Sequence, residues 1–303
     1  KKFFMRSIVS GKVSKNILLK ELIEVLPSGA SIKLNKKEKK DVVILATKEF
    51  HVLGDLLIRY IAGELNANIK AVIANHDHLK DLVEKFNIPF TCISADGMSR
   101  EEHEDKMIVK INEYEPELIV LAKYMRILTP KFVDAFPKKV LNIHHSFLPA
   151  FIGANPYKQA HERGVKIIGA TAHYVTSDLD EGPIIFQDVV RVDHSYSWED
   201  MRNAGRNVEK IVLSNAFEML LHDRVFVHGN KTVPGNVGTI GRLAFALNCT
   251  LHLIKPYGFG AITEKEVRRA GLDYWFELDV REYENIEDFW SKNPFNDRHF
   301  LAT

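Results

Sequence analysis

The stretch NIHHSFLPAF, Asn142 to Phe151, sets a carboxamide, two imidazoles and a hydroxyl side by side, after an apolar run and before a proline-broken loop. Asn142 and His144 are two apart, so at the end of an extended strand both side chains project from one face. Such a pair can hold a developing oxyanion with one group and move a proton with the other. Asp180, in the turn-rich SDLDEGP, is the third candidate. A carboxylate brought back beside NIHHS would orient an imidazole and help activate a water. This scheme uses no side-chain nucleophile.

Each of these residues also has a plainer reading. Asn142 can cap a turn, His145 fits a packed histidine better than a catalyst, and Asp178 and Asp180 can both be loop carboxylates. Ser146 beside a histidine suggests a hydrolase triad, but no GxSxG elbow surrounds it. His173 alternates with apolar residues in ATAHYV and fits a satisfied core histidine as well as a direct role. Zinc ligation by His144 with His145, or by His76 with His78, lacks an HExxH or comparable set, so no metal is expected.

The elements that must position these groups are legible as a pattern. DVVILATK, NIKAVIAN, IPFTCIS, ELIVLAKY and KVLNIHH are strand-like apolar runs, separated by amphipathic segments at DLLIRYIAG, LKDLVEKF, EDKMIVKINEY and TPKFVDAF. This alternation predicts an α/β fold with a doubly wound, mostly parallel sheet, whose ligands gather beyond the carboxyl ends of the strands. KIIGATAHYV and GPIIFQDVVRV extend the sheet, and a long helix from SWEDM to HDR closes it, with Ser197 as N-cap and Glu199 and Asp200 in its first turn. Before this domain, FFMRSIVSG alternates like a strand and VSKNILLKELIEVLP has helical spacing; the charged KKEKKD marks a boundary near residue 36. After VFVHGNKTV comes a glycine-rich turn feeding a helix, a strand TLHLIKP and an acidic helix-like tail.

The totals exclude several classes. Lys plus Arg number 41 against 40 Asp plus Glu, so no global basic field points to nucleic acid or an anionic membrane. No apolar run approaches the roughly 20 residues of a membrane helix, and no signal-peptide core follows the N-terminus. Cys92 and Cys249 form no CxxC pair, which fits a reducing, cytoplasmic compartment.

From AKYMRIL through NIHHSFLPAF and HYVTSDLDEGPI to SWEDM, with TKEFHVLGDLL and ANHDHL upstream, the chain resembles the formyltetrahydrofolate deformylase family over about residues 3 to 233. The resemblance implies a formyltransferase-type sheet and hydrolysis of 10-formyltetrahydrofolate to formate and tetrahydrofolate, which supplies formate for purine synthesis. It implies a catalytic set of Asn142, His144 and Asp180, with no cofactor beyond the folate substrate. The pterin pocket it implies is lined by Tyr124, Met125, Arg126, Ile127 and Leu128, and by His173, Thr176, Asp178 and Gly182 around the second loop. Glycinamide ribonucleotide formyltransferase is the nearest related fold, and transfer to an amine is the alternative reaction. That enzyme carries a glycine-rich phosphate loop after its first strand, where ATKEFHVLGDLL has only Gly54, which favours water as acceptor. A homo-oligomer is expected.

Both ends resemble other families. Residues 1–36 resemble the second half of an ACT-type regulatory domain, leaving 37–233 as the catalytic domain. PGNVGTIGRLAFALNCTLHLIKPYGF, in 234–303, resembles the early part of a SPOUT-class tRNA 2′-O-methyltransferase, whose first motif falls on Asn236, Gly238 and Arg242. That family's cofactor loops lie further along than Thr303, so a complete S-adenosylmethionine site and nucleic-acid binding are not expected.

Overall fold

β1 (Lys40–Ala46) carries KDVVILA, and Val42 through Ala46 are all fully buried, as the continuous apolar run requires of a central strand. The computed structural model describes residues 4, 6, 14–26, 28–35, 38–150, 155–233, 250–254 and 279–293. β2 (Ala67–Ala74), β3 (Phe90–Cys92), β4 (Leu118–Ala122) and β5 (Val140–His144) join β1 in parallel. β6 (Ile167–Tyr174) and β7 (Ile184–Arg191) then add antiparallel, giving the order β3-β2-β1-β4-β5-β6-β7. The chain order therefore reverses between β1 and β4, which places a topological switch point there.

Helices cover both faces because successive residues of a buried strand point in opposite directions. Val42, Ile44 and Ala46 pack in one cluster with Leu53 and Leu57 of α2 (His51–Ile61) and Val212 and Phe217 of α7 (Trp198–Leu221). Val43 and Leu45 join Met107 and Ile111 of α4 (Arg100–Asn112) and Phe132 of α5 (Pro130–Ala135) in the other. Two further helices, α3 (Lys80–Glu84) and α6 (Pro156–Glu162), complete this unit's layers.

Local chemistry sets the helix starts. Ser197 caps α7 through a capping box with Asp200, and Ser99 caps α4 through one with Glu102; each cap is worth about 1 kcal/mol. Thr129 accepts from the Phe132 amide to start α5, with Pro130 in the first turn, where its missing N–H costs nothing. A hairpin of β8 (Phe226–His228) and β9 (Lys231–Val233) follows α7.

Residues 35–233 form one compact unit, and residues 1–34 with 234–303 form the other. The second unit contains α1 (Lys15–Val25), the parallel pair β10 (Leu251–Ile254) and β11 (Val280–Tyr283), and α8 (Ile286–Lys292). The helix expected after the first segment forms, with Ile17 and Ile23 exposed. The strand expected at FFMRSIVSG and the glycine-rich turn and helix after Pro234 lie outside the described residues.

Candidate active site

β5 ends at His144, and its antiparallel register with β6 sets Asn142 directly opposite His173 and His144 opposite Thr171. The cross-strand pair brings Asn142 Nδ2 to 3.2 Å from His173 Nε2. His173 Nδ1 lies 2.9 Å from the Tyr174 carbonyl, which can only accept, so Nδ1 carries the proton and Nε2 receives the amide N–H. One N–H of the Asn142 amide is thereby used, and the other is left for a ligand oxygen.

Thr171 controls the exit from β5. Its hydroxyl donates to the Ser146 carbonyl at 2.9 Å, accepts from the Leu148 amide at 3.0 Å, and also receives the Gln187 amide at 2.8 Å. These bonds hold the turn after His145. Ser146 is buried and its hydroxyl has no hydrogen-bond partner among the described residues.

Asp180 reaches the strand end from the loop between β6 and β7, in a left-handed conformation of φ +57°. Its Oδ2 lies 3.2 Å from His144 Nδ1, and its Oδ1 lies 3.6 Å from His173 Nε2. Burial alone would raise the Asp180 carboxyl; the hydrogen bond from His144 outweighs it and holds the group well below the usual carboxylate range. The charged carboxylate therefore keeps the His144 proton on Nδ1. Nε2 of the same ring is buried, with no partner among the described residues.

The loop carrying Asp180 is seated by backbone contacts. A β-carbon at Gly182 would stand 1.8 Å from the Tyr174 oxygen, so only glycine permits this approach. The Tyr174 amide donates to the Pro183 carbonyl at 3.0 Å, and Asn230, from the turn of the β8–β9 hairpin, donates to the Glu181 carbonyl at 2.7 Å.

The segment Tyr124–Leu128 leaves β4 beside β5, where Leu121 is in register with Asn142. Tyr124 is buried, and burial pushes its hydroxyl up to about 12. Met125 and Ile127 are 57% and 51% exposed, presenting apolar surface, while Arg126 and Leu128 are half-buried. Thr176 and Asp178 line an open cleft with Val133, Lys138, Val175 and Asn230, and that cleft does not include Asn142, His144 or Asp180. Asn236, Gly238 and Arg242 lie outside the described residues. Among the described residues no group of three or more His, Cys, Asp or Glu could hold a metal ion, and no helix is long and apolar enough to cross a membrane.

A second polar cluster has little signal in the sequence. Glu209 of α7, 1% exposed, accepts from Tyr157 of α6 at 2.6 Å and lies 2.9 Å from His51 Nε2 and 3.3 Å from Lys123 Nζ. Burial would raise the Glu209 carboxyl, but His51, Lys123 and Tyr157 together hold it at about 2. Only Lys123, a charge ending the apolar run ELIVLA, and Glu209, inside an apolar helix stripe, hinted at burial. His145 lies between the two clusters, its ring 5.2 Å from that of His144 and 6.1 Å from that of Tyr157.

A doubly wound sheet whose carboxyl edge carries the linked pairs Asn142–His173 and His144–Asp180 defines the class as an α/β enzyme domain. The formyl transferase family model matches residues 40–217, and the SpoU rRNA methylase family model matches residues 224–303. A formyltetrahydrofolate deformylase of Escherichia coli O6:H1 is 58% identical over 232 residues, 77% of this chain and 83% of the relative. The crystal structure of a formyltetrahydrofolate deformylase from Pseudomonas syringae pv. tomato superposes with a TM-score of 0.64 at 48% identity, over 65% of this chain and 66% of that one. Glycinamide ribonucleotide transformylase 1 from Symbiobacterium toebii gives 0.63 at 27% identity, over 69% of this chain and 100% of that one. The chain belongs to the formyltetrahydrofolate deformylase family.

Proposed function

We propose that the chain hydrolyses 10-formyltetrahydrofolate to formate and tetrahydrofolate, with Asn142, His144 and Asp180 as the catalytic residues. The observation that carries this reading is the His144 ring, with Nδ1 turned to Asp180 at 3.2 Å and a buried Nε2 that has no partner among the described residues. In the neutral ring that nitrogen is an acceptor, set to take a proton from water. The water oxygen bonds to the formyl carbon, and the free N–H of Asn142 holds the oxyanion. The bond to the folate nitrogen then breaks, His144 delivers its proton to that nitrogen, and Asp180 stabilises the imidazolium between the two transfers. No cofactor enters these steps.

Tyr124 to Leu128 supply an apolar platform for the pterin, His173 orients Asn142, and Thr176, Asp178 and Gly182 shape the second wall. The assignment of 37–233 as the catalytic domain goes with this reading, as do a cytoplasmic location, a homo-oligomeric state and a part in supplying formate for purine synthesis. Formate release from 10-formyltetrahydrofolate by the full chain, with EDTA and without any amine, tests the reading. Release that requires glycinamide ribonucleotide would overturn it.

The second reading is methyl transfer to RNA by residues 234–303, motivated by the SpoU family match over 224–303. The residues that carry the formyl chemistry form a full set, whereas the methyltransferase motif contributes only Asn236, Gly238 and Arg242. This reading requires that residues 234–303 bind S-adenosylmethionine. Calorimetric titration and a tRNA methylation assay test this, and saturable binding or methyl incorporation would restore a bifunctional protein.

A further inference from the structure

In an open α/β sheet, the crevice at the point where strand order reverses is where a ligand enters. Here that point lies between β1 and β4, and polar side chains occupy it. Glu49 and His51 follow β1, and Lys123 follows β4 directly, in a left-handed turn of φ +60°. Glu209 rises from α7 and Tyr157 from α6. The side chains of Lys123, His51 and Glu209 are 4%, 9% and 1% exposed.

Both oxygens of Glu209 are engaged: Oε1 by the Tyr157 hydroxyl at 2.6 Å, and Oε2 by His51 at 2.9 Å and Lys123 at 3.3 Å. At the rim, Glu49 lies 3.3 Å from His51 Nδ1 and 3.2 Å from Arg206. Tyr157 reaches Glu209 only because α7 has glycine one turn earlier, where a β-carbon at Gly205 would fall 2.2 Å from the phenol oxygen. The cluster ends against His145, whose ring neighbours that of His144. Stability does not account for such an arrangement, since packed apolar residues often replace a buried ion pair at no cost.

We propose that the Lys123–Glu209–His51–Tyr157 network is the device that selects water over an amine as formyl acceptor, by filling the crevice from which an amine would approach His144 and Asn142. The inference rests on the hydrolase reading. Both reactions pass through an oxyanion at Asn142 and end with cleavage of the bond to the folate nitrogen, which gains a proton. In hydrolysis the new bond is from water oxygen to the formyl carbon, and formate leaves. In transfer it is from an amine nitrogen that loses one proton, and a formamide leaves. Among the differences between the two nucleophiles, the amine is the larger. A crevice plugged by a salt-bridged cluster admits water and rejects the larger amine. The glycinamide ribonucleotide transformylase from Symbiobacterium toebii, with a comparable fold, is named for an amine acceptor.

The test supplies 10-formyltetrahydrofolate and excess glycinamide to the full chain and measures formate and N-formylglycinamide together. Wild-type protein should give formate alone, at a rate glycinamide does not change. Lys123→Gly keeps the left-handed backbone and opens the crevice, and Lys123→Gly with Glu209→Gln does so without a stranded buried charge. Each should make N-formylglycinamide at about tenfold or more above the detection limit at which the wild type shows none. Amide formation by the wild type overturns the inference whether or not the variants fold. So does an unchanged ratio in a variant that melts cooperatively. Failure of the wild type to release formate from the folate sinks the hydrolase reading instead.

Discussion

Gly182 packs against the Tyr174 carbonyl so closely that a β-carbon would lie 1.8 Å from its oxygen, and this contact seats the loop that brings Asp180 to His144. The carboxylate that orients the imidazole thus depends on a residue with no side chain.

Gly182→Ala must push the loop off β6. The expected result is a stability loss of about 2 kcal/mol and a fall in turnover larger than the change in KM, since the displaced group is Asp180. Denaturant melts with steady-state kinetics check this, and unaltered turnover would show that Asp180 reaches His144 without the close approach.

Asp180→Asn keeps the shape but removes the charge that fixes the His144 proton on Nδ1. Turnover should fall by about a thousandfold. Asp178, exposed two residues earlier in the same loop, should tolerate Asn with a small effect. Equal, mild losses from the two changes would reduce the loop to a wall of the folate site.

Asn142→Ala removes the donor held in place by His173. A loss of about 10²- to 10³-fold in kcat with little change in KM is the signature of an oxyanion donor. A rise in KM alone would instead assign Asn142 to ground-state binding.

His145 is half-buried near the Lys123 charge, and its desolvation and that charge push its pKa down to about 4, against the opposing influence of Glu209 and Asp180 and with a small contribution from His144. Its folded pKa lies below the unfolded value of about 6.5, so the unfolded chain binds the proton first. This contribution to stability is fully present above about pH 6.5 and is lost as pH falls toward 4, by up to about 3 kcal/mol. His145→Asn should flatten the stability profile across that window in chemical denaturation. A profile as steep as that of the wild type would place the titration elsewhere.

Much of the candidate site's placement was legible along the chain. Asn142 and His144 are two apart at the end of an apolar run, and the period of a strand sends both the same way before any tertiary contact is known. The apolar runs of β1, β4 and β5 likewise announce buried parallel strands, and Ser197 with Asp200 announces the start of α7. Such features depend on neighbours in sequence, so sequence determines them.

The partners of those residues were decided only by the fold. His173 fits a core histidine or a working one equally well until the antiparallel register of β5 and β6 sets it opposite Asn142. Asp178 and Asp180 differ in no local property, and it is the Gly182 contact with β6 that puts one at His144 and leaves the other exposed. Lys123 and Glu209 read separately as a charge at a strand end and a polar break in a helix stripe. They meet because strand order reverses beside β4 while α7 packs across the sheet, and no spacing along the chain encodes a distance between residues that far apart.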